Sequence, residues 1–147
     1  MHEIIPGLWQ GSLPYIRRGL LRKAGFDLAV FCAIEYRPDP EDYPVPVVAA
    51  ALEDRDPLTQ DQVLIARRLG KLVAEALNNK KKVLVTCMAG LNRSGLINAL
   101  AIHELTGAAG FACMERVQRC RPNALFNKAF QAYLMKLPSK KGMEPNE

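Results

Sequence analysis

Residues 83–95 read V-L-V-T-C-M-A-G-L-N-R-S-G. Val83 to Thr86 is a short apolar run that leads straight into Cys87, and Arg93-Ser94 opens a segment in which Leu96, Ile97, Leu100, Ala101 and Leu105 recur at helical spacing up to Gly107. An apolar run of this length fits a strand buried on both faces, as in parallel sheets covered by helices. Gly90 gives the intervening loop freedom to curl. Successive N–H groups pointing inward from such a loop, and meeting a helix N-terminus, form a concave anion site from backbone dipoles alone. The same field favours the thiolate of Cys87, its nucleophilic form. Arg93 offers a planar fork that grips two phosphoryl oxygens, and Ser94 can donate to the sulfur when a thiophosphate breaks down. Met88, Ala89, Gly90, Leu91, Asn92 and Arg93 are the expected phosphate-binding residues.

Upstream, Ile4 to Trp9 mixes apolar residues with a Pro-Gly turn and suggests an edge strand or hairpin. Pro14 to Ala24 reads as a helix closed by Gly25. Leu28 to Cys32 is a second buried-strand run, Arg37 to Pro46 a proline-rich loop, and Val45 to Leu52 a further strand that stops at Glu53-Asp54-Arg55-Asp56-Pro57. Thr59 and Gln62 form a capping-box signature for a helix reaching Asn78-Asn79, and Lys80-Lys81-Lys82 reads as a solvated turn. Downstream, helices are expected over Ala109 to Cys120 and Ala124 to Leu137, separated by Arg121-Pro122. Strands alternating with helices and finishing in helices predict an α/β fold: a three-layer sandwich with a small, mostly parallel central sheet, the anion loop lying at a strand–helix junction. The expected division is one catalytic domain over 1–138 and a polar C-terminal tail over 139–147.

Composition narrows the chemistry. The chain has 147 residues, 49% of them hydrophobic, which suits one domain with a real core. Its four cysteines form no C-x-x-C pair and it has two histidines, His2 and His103, so a disulfide framework, a zinc site or a Ser-His-Asp triad lacks material. No metal and no cofactor is expected. No signal-peptide pattern and no membrane-length apolar run is visible, so the expected compartment is the cytoplasm, with thiols reduced and no membrane partner. A formal net charge of +5 fits an anionic partner.

At its signature the chain resembles the cysteine-dependent protein tyrosine phosphatase superfamily, and within it the compact, atypical dual-specificity phosphatases. Their pattern is His-Cys-x5-Arg-Ser/Thr, here T-C-M-A-G-L-N-R-S with Thr86 in the histidine's place. I-I-P-G-L-W-Q-G-S looks like the family's opening strand, and V-Q-R-C-R-P-N-A-L-F-N-K-A-F like its stretch after the signature. The resemblance implies phosphomonoester hydrolysis through a cysteinyl-phosphate, with phosphorylated proteins as substrates, a shallow permissive site, and block by vanadate or by oxidation of Cys87. It also implies a general acid on an upstream loop: A-L-E-D-R-D-P matches, selecting Asp54 with Asp56 in reserve, the alternative being that either caps the helix beginning near Thr59. A threonine hydroxyl can bond nearby backbone but carries no charge, so Cys87 is expected to hold a higher thiolate pKa than is usual in relatives. Asn127 matches a family position near the active-site loop, with a helical surface residue as the plain alternative. Cys113 and Cys120 read as core or half-buried, Trp9 and His103 as packing, and Arg116, Arg119 and Arg121 as a solvated face.

Two other readings stay open. G-L-N-R-S-G-L-I looks like the G-x-N-R-T-G of metal-independent RNA 5′-triphosphatases of the same fold, and the positive charge suits an RNA 5′ end. Those relatives usually carry Cys-Thr-His-Gly where this chain has Cys87-Met-Ala-Gly, and they lack an acidic loop like that at Asp54. A phospholipid headgroup would call for lysines in the loop, which has none. The other reading is a non-catalytic phosphate-binding module, for which only Thr86 speaks. The oligomeric expectation is a monomer.

Overall fold

The computed structural model describes residues 1–13 and 18–140. The start of the expected Pro14–Ala24 helix and residues 141–147 of the expected tail lie outside them. Among the described residues, strands β1 (His2–Ile5), β2 (Leu8–Ser12), β3 (Leu28–Phe31), β4 (Val47–Ala49) and β5 (Val83–Cys87) form one sheet in the order β1-β2-β5-β3-β4. The helices are α1 (Arg18–Lys23), α2 (Gln60–Asn78), α3 (Arg93–Thr106), α4 (Gly110–Cys120) and α5 (Lys128–Met135). β1 and β2 are an antiparallel hairpin and every other pairing is parallel.

This order places the strand that carries Cys87 in the middle. All five residues of β5 are buried, and its end is flanked by Ser12 on β2 and by the end of β3, where Phe31 pairs with Thr86. The carboxyl ends of three parallel strands therefore converge at one edge, the place where open α/β sheets bind ligands. Leu8, Val30 and Val85 face a core shared with α2 to α5, while Ala29, Phe31 and Leu84 face Leu21 and Phe26 on the other side. That is the expected three-layer sandwich. α3 is buried on every side from Arg93 to His103, so the helix that begins at the signature arginine is also the axis of the larger core.

Several local expectations need adjusting. β4 covers Val47–Ala49 rather than Val45 to Leu52. α5 starts at Lys128 instead of Ala124, because Asn123 and Leu125 take left-handed backbone, φ 68 and 56, and the segment turns toward the signature loop before Asn127 caps the helix. The capping box at α2 is half made: Thr59 Oγ1 accepts the Gln62 amide, but the Gln62 side chain accepts from Glu53 N–H at 2.8 Å and donates to Ala51 C=O, which ties the acidic loop to α2. Lys82 is turned inward rather than solvated, its ammonium lying 4.7 Å from the Phe26 ring centroid and 5.3 Å from that of Trp9. Where the tail was expected to begin, Ser139 Oγ and Lys140 N–H donate to Gly107 C=O. No described helix is long and apolar enough to cross a membrane.

Candidate active site

Cys87 ends β5 and Arg93 opens α3, so the five residues between them must turn over the edge of the sheet. Gly90 makes that turn with φ 70, and a Cβ there would overlap the Gly11 carbonyl, so β2 admits no side chain at this position. The loop's carbonyls are held from behind. Gly90 C=O accepts Gln10 Nε2 at 3.0 Å and Arg121 Nε at 2.5 Å, Ala89 C=O accepts Arg121 Nη2 at 3.2 Å, and Leu91 C=O accepts the Leu125 amide at 3.2 Å. In a trans peptide the N–H points opposite to the C=O of the preceding residue. Fixing these three carbonyls backward thus directs the amides of Gly90, Leu91 and Asn92 forward. None of the amides from Met88 to Asn92 donates to another described residue.

The sulfur lies at the floor of this loop, in a residue only 3% exposed. Cys87 Sγ is 3.3 Å from Ser94 Oγ and accepts the Ser94 amide at 3.4 Å. The neighbouring Cys32 thiol, hydrogen bonding from the Ser94 hydroxyl and amide, and the charge of Arg93 together overcome burial and pull its pKa down to about 5. Cys32 itself, wholly buried, is pushed well above the ordinary thiol range by burial and by the neighbouring Cys87, and its thiol donates to Thr86 C=O at 3.1 Å. Thr86 brings no charge, its hydroxyl donating to Val30 C=O, and the groups around Cys87 lower its pKa instead.

Arg93 is 5% exposed. Its two terminal nitrogens clasp the Glu35 carboxylate, Nη2 to Oε2 at 2.9 Å and Nη1 to Oε1, and Nη1 also donates to Leu52 C=O at 3.1 Å. The Arg93 guanidinium holds Glu35 below its usual carboxylate range, so the pair remains ionised. Glu35 occupies the end of the fork and leaves the side edge open, where Nε is buried without a partner. A donor orphaned in this way is costly unless an acceptor arrives.

Asp54 lies against the loop. Its Oδ2 accepts Asn92 Nδ2 at 2.9 Å and its Oδ1 accepts Asn127 Nδ2 at 2.8 Å, while the Asn127 amide donates to Asn92 Oδ1. Two asparagines from two other segments thus hold one carboxyl beside the signature loop. Both aspartates are exposed, but Asp56, the reserve acid, has no such tie among the described residues. Asn127 is accordingly no plain surface residue: it caps α5 and anchors Asp54 at once.

The structure brings Cys87, Arg93, Ser94, Asp54 and the loop residues 88–92 together, and adds four groups that sequence reasoning did not assign to the site. Gln10 is wholly buried and shares its side-chain oxygen with Asn98; a glutamine inside a strand buried on both faces was its signal. Cys32 ends the neighbouring strand, and register alone would have put it beside Cys87. Glu35 gave no signal. Arg121 is not on a solvated face but 8% exposed, packed behind the loop, and Arg116 donates to Ile4 C=O. Around the mouth, Ile34, Met88 and Phe126 are exposed. Ile34 N–H donates to the Leu52 carbonyl that also accepts Arg93, and Phe126 lies between the Leu125 and Asn127 amides that reach the loop. No cluster of three or more His, Cys, Asp or Glu side chains that could hold a metal occurs among the described residues.

No family model matches the chain, and neither does any curated protein. Solved structures do. Human DUSP28 shares 21% identity over 97% of each chain with a TM-score of 0.79. The human tyrosine phosphatase-like serine/threonine/tyrosine-interacting protein shares 22% identity, over 92% of this chain and 93% of its own, with a TM-score of 0.76. OH1 from the Orf virus, a tyrosine phosphatase described as having triple substrate specificity, shares 22% over 91% and 83% with a TM-score of 0.68. From end to end of its described residues, the chain has the fold of the dual-specificity and tyrosine phosphatases.

Proposed function

We propose that this chain is a phosphomonoester hydrolase of the dual-specificity or tyrosine type, acting on phosphorylated proteins through a cysteinyl-phosphate intermediate. The observation that carries this reading is a sulfur held as thiolate beside a buried Arg93 Nε that has no partner, under a loop whose amides have no other acceptor. A tetrahedral dianion supplies what all of these groups lack. In the first step the Cys87 sulfur attacks phosphorus, the bond to the leaving oxygen breaks, and Asp54 gives that oxygen its proton. In the second, Asp54 takes a proton from water, the resulting oxygen attacks phosphorus, and the S–P bond breaks with Ser94 donating to the departing thiolate. Arg93 follows the equatorial oxygens through both steps with the edge that Glu35 leaves open. The cycle needs no cofactor. A thiolate of this kind stays free in a reducing compartment, and the cytoplasm is the proposed location.

The mouth supports a protein substrate over an RNA 5′ end. Ile34, Met88 and Phe126 are apolar, Glu35 and Asp54 are acidic, and Arg55 is paired with Glu53 at 2.7 Å. A triphosphate would bring more negative charge to that rim than one phosphorylated side chain does. The test measures phosphate release from a phosphotyrosine peptide, a phosphoserine peptide and a 5′-triphosphate RNA, by wild type and Cys87→Ser. Peptide hydrolysis that is lost in the variant, while peptide binding survives, is the expected result. RNA as the better substrate would favour the triphosphatase. Equal low release by both proteins would favour a non-catalytic module.

A further inference from the structure

We propose that Arg121 is a positioning residue of this site, aiming the amides of the signature loop and serving as a second counter-charge to whatever anion occupies it. The inference rests on reading Cys87 as the nucleophile and assigns a role to a group on the far side of the loop.

The geometry is specific. Arg121 Nε and Nη2 span two consecutive carbonyls, Gly90 and Ala89, and the third nitrogen, Nη1, lies 2.9 Å from His2 Nδ1. Holding Ala89 C=O and Gly90 C=O on the rear face turns the N–H groups of Gly90 and Leu91 toward the concave face, because each peptide plane is rigid. A planar fork does this in a way that a single ammonium cannot.

The charge is equally specific. Burying a cation is expensive unless an anion accompanies it. Among the described residues no ion pair joins Arg121 to a carboxylate. Its partners are neutral carbonyls and an imidazole whose own pKa is lowered by burial and by this same guanidinium. The one anion whose charge it senses is the Cys87 sulfur across the loop. The positive charge is therefore compensated when Cys87 is ionised or when a phosphoryl group sits in the loop, and it favours both states. The other groups that face the sulfur are Cys32 on the β3 side, Ser94 and Arg93 on α3 with Glu35 bound to the latter, and Asp54 beyond Arg93. None of them bonds a backbone carbonyl of residues 88–92.

Three measurements on wild type, Arg121→Met and Arg121→Lys test this: the pH dependence of Cys87 alkylation by iodoacetamide, read on the Cys87 peptide by mass spectrometry, orthovanadate binding, and the thermal midpoint. Arg121→Met, of similar length and no charge, is expected to move the alkylation midpoint up by about one pH unit. Arg121→Lys is expected to keep the midpoint, since the charge remains, yet to weaken orthovanadate about tenfold because one ammonium cannot hold both carbonyls. A merely structural arginine would lower the thermal midpoint in both variants and leave the alkylation midpoint alone; that result overturns the proposal. Should Arg121→Met not fold, Arg121→Lys decides by itself, and unchanged vanadate affinity in the folded variant overturns the aiming role. If wild type itself binds no orthovanadate, the proposed hydrolase falls, which is a different outcome from a normal wild type with indifferent Arg121 variants.

Discussion

The two faces of the signature loop are built from different material. The front face, which would meet substrate, consists of Cys87, the forward amides, the Arg93 edge and Asp54 with its two asparagine donors. The rear face consists of Gln10, Arg121, Leu125 and the buried Cys32, and it meets only protein. The front leaves donors without partners, Arg93 Nε and the loop amides, while the rear satisfies nearly every acceptor it touches. A site that binds an anion needs both conditions together: donors left open on one side stay open only because the carbonyls on the other side are committed.

Removing the front face should have the largest effects. Cys87→Ser is expected to lower kcat on a phosphotyrosine peptide by roughly 10³-fold or more while the peptide still binds. Asp54→Asn should cost about 10²-fold on an alkyl phosphate, whose leaving group needs a proton, and far less on an activated aryl phosphate. Equal losses on the two substrates would remove Asp54 from the role of general acid. Asn127→Ala, which frees one oxygen of that carboxyl, should show the same substrate contrast at smaller amplitude.

Residues between the faces sharpen the comparison. Glu35→Gln weakens the clasp that keeps the side edge of Arg93 turned to the loop, and is expected to raise KM about tenfold with a smaller change in kcat. An unchanged KM would mean that packing alone holds Arg93. The smallest change is expected behind the sulfur. Cys32→Ala deletes the thiol that helps lower the Cys87 pKa and should move the alkylation midpoint of Cys87 up by about one pH unit, with Cys32→Ser restoring part of it. The sign follows from the lowered pKa of about 5: the thiolate is the reactive form, so in wild type the kcat/KM limb carried by Cys87 rises as pH climbs through that value and is flat above it.

The same contrast explains what the sequence made legible. The front face is local. Cys87, the five loop residues, Arg93 and Ser94 are contiguous, and a strand pattern on one side with a helical pattern on the other fixes their placement. Asp54 is singled out through the resemblance, because Leu52-Glu53-Asp54 matches the apolar-x-Asp pattern of the family's acidic loop. The rear face is assembled from Gln10, Cys32 and Arg121, which are far apart in the chain and meet only once the parallel strand order exists. Arg121 carries a solvent-type side chain at the end of an amphipathic helix, so periodicity alone assigned it outward. The short α5 has the same origin, because Leu125 N–H goes to Leu91 C=O rather than into a helix. At Thr86 the missing charge was visible in the sequence, whereas the groups around Cys87 that lower its pKa were not.

The central claim is that Cys87 carries the phosphoryl group during turnover. The most direct measurement is an acid quench of wild type mixed with a ³²P-phosphotyrosine peptide on the millisecond scale, followed by mapping of the label. The expected result is a burst of released tyrosine peptide matched by label on the Cys87 peptide, absent from Cys87→Ser and decaying as inorganic phosphate appears. Hydrolysis without any labelled protein, or with label on another residue, would contradict it.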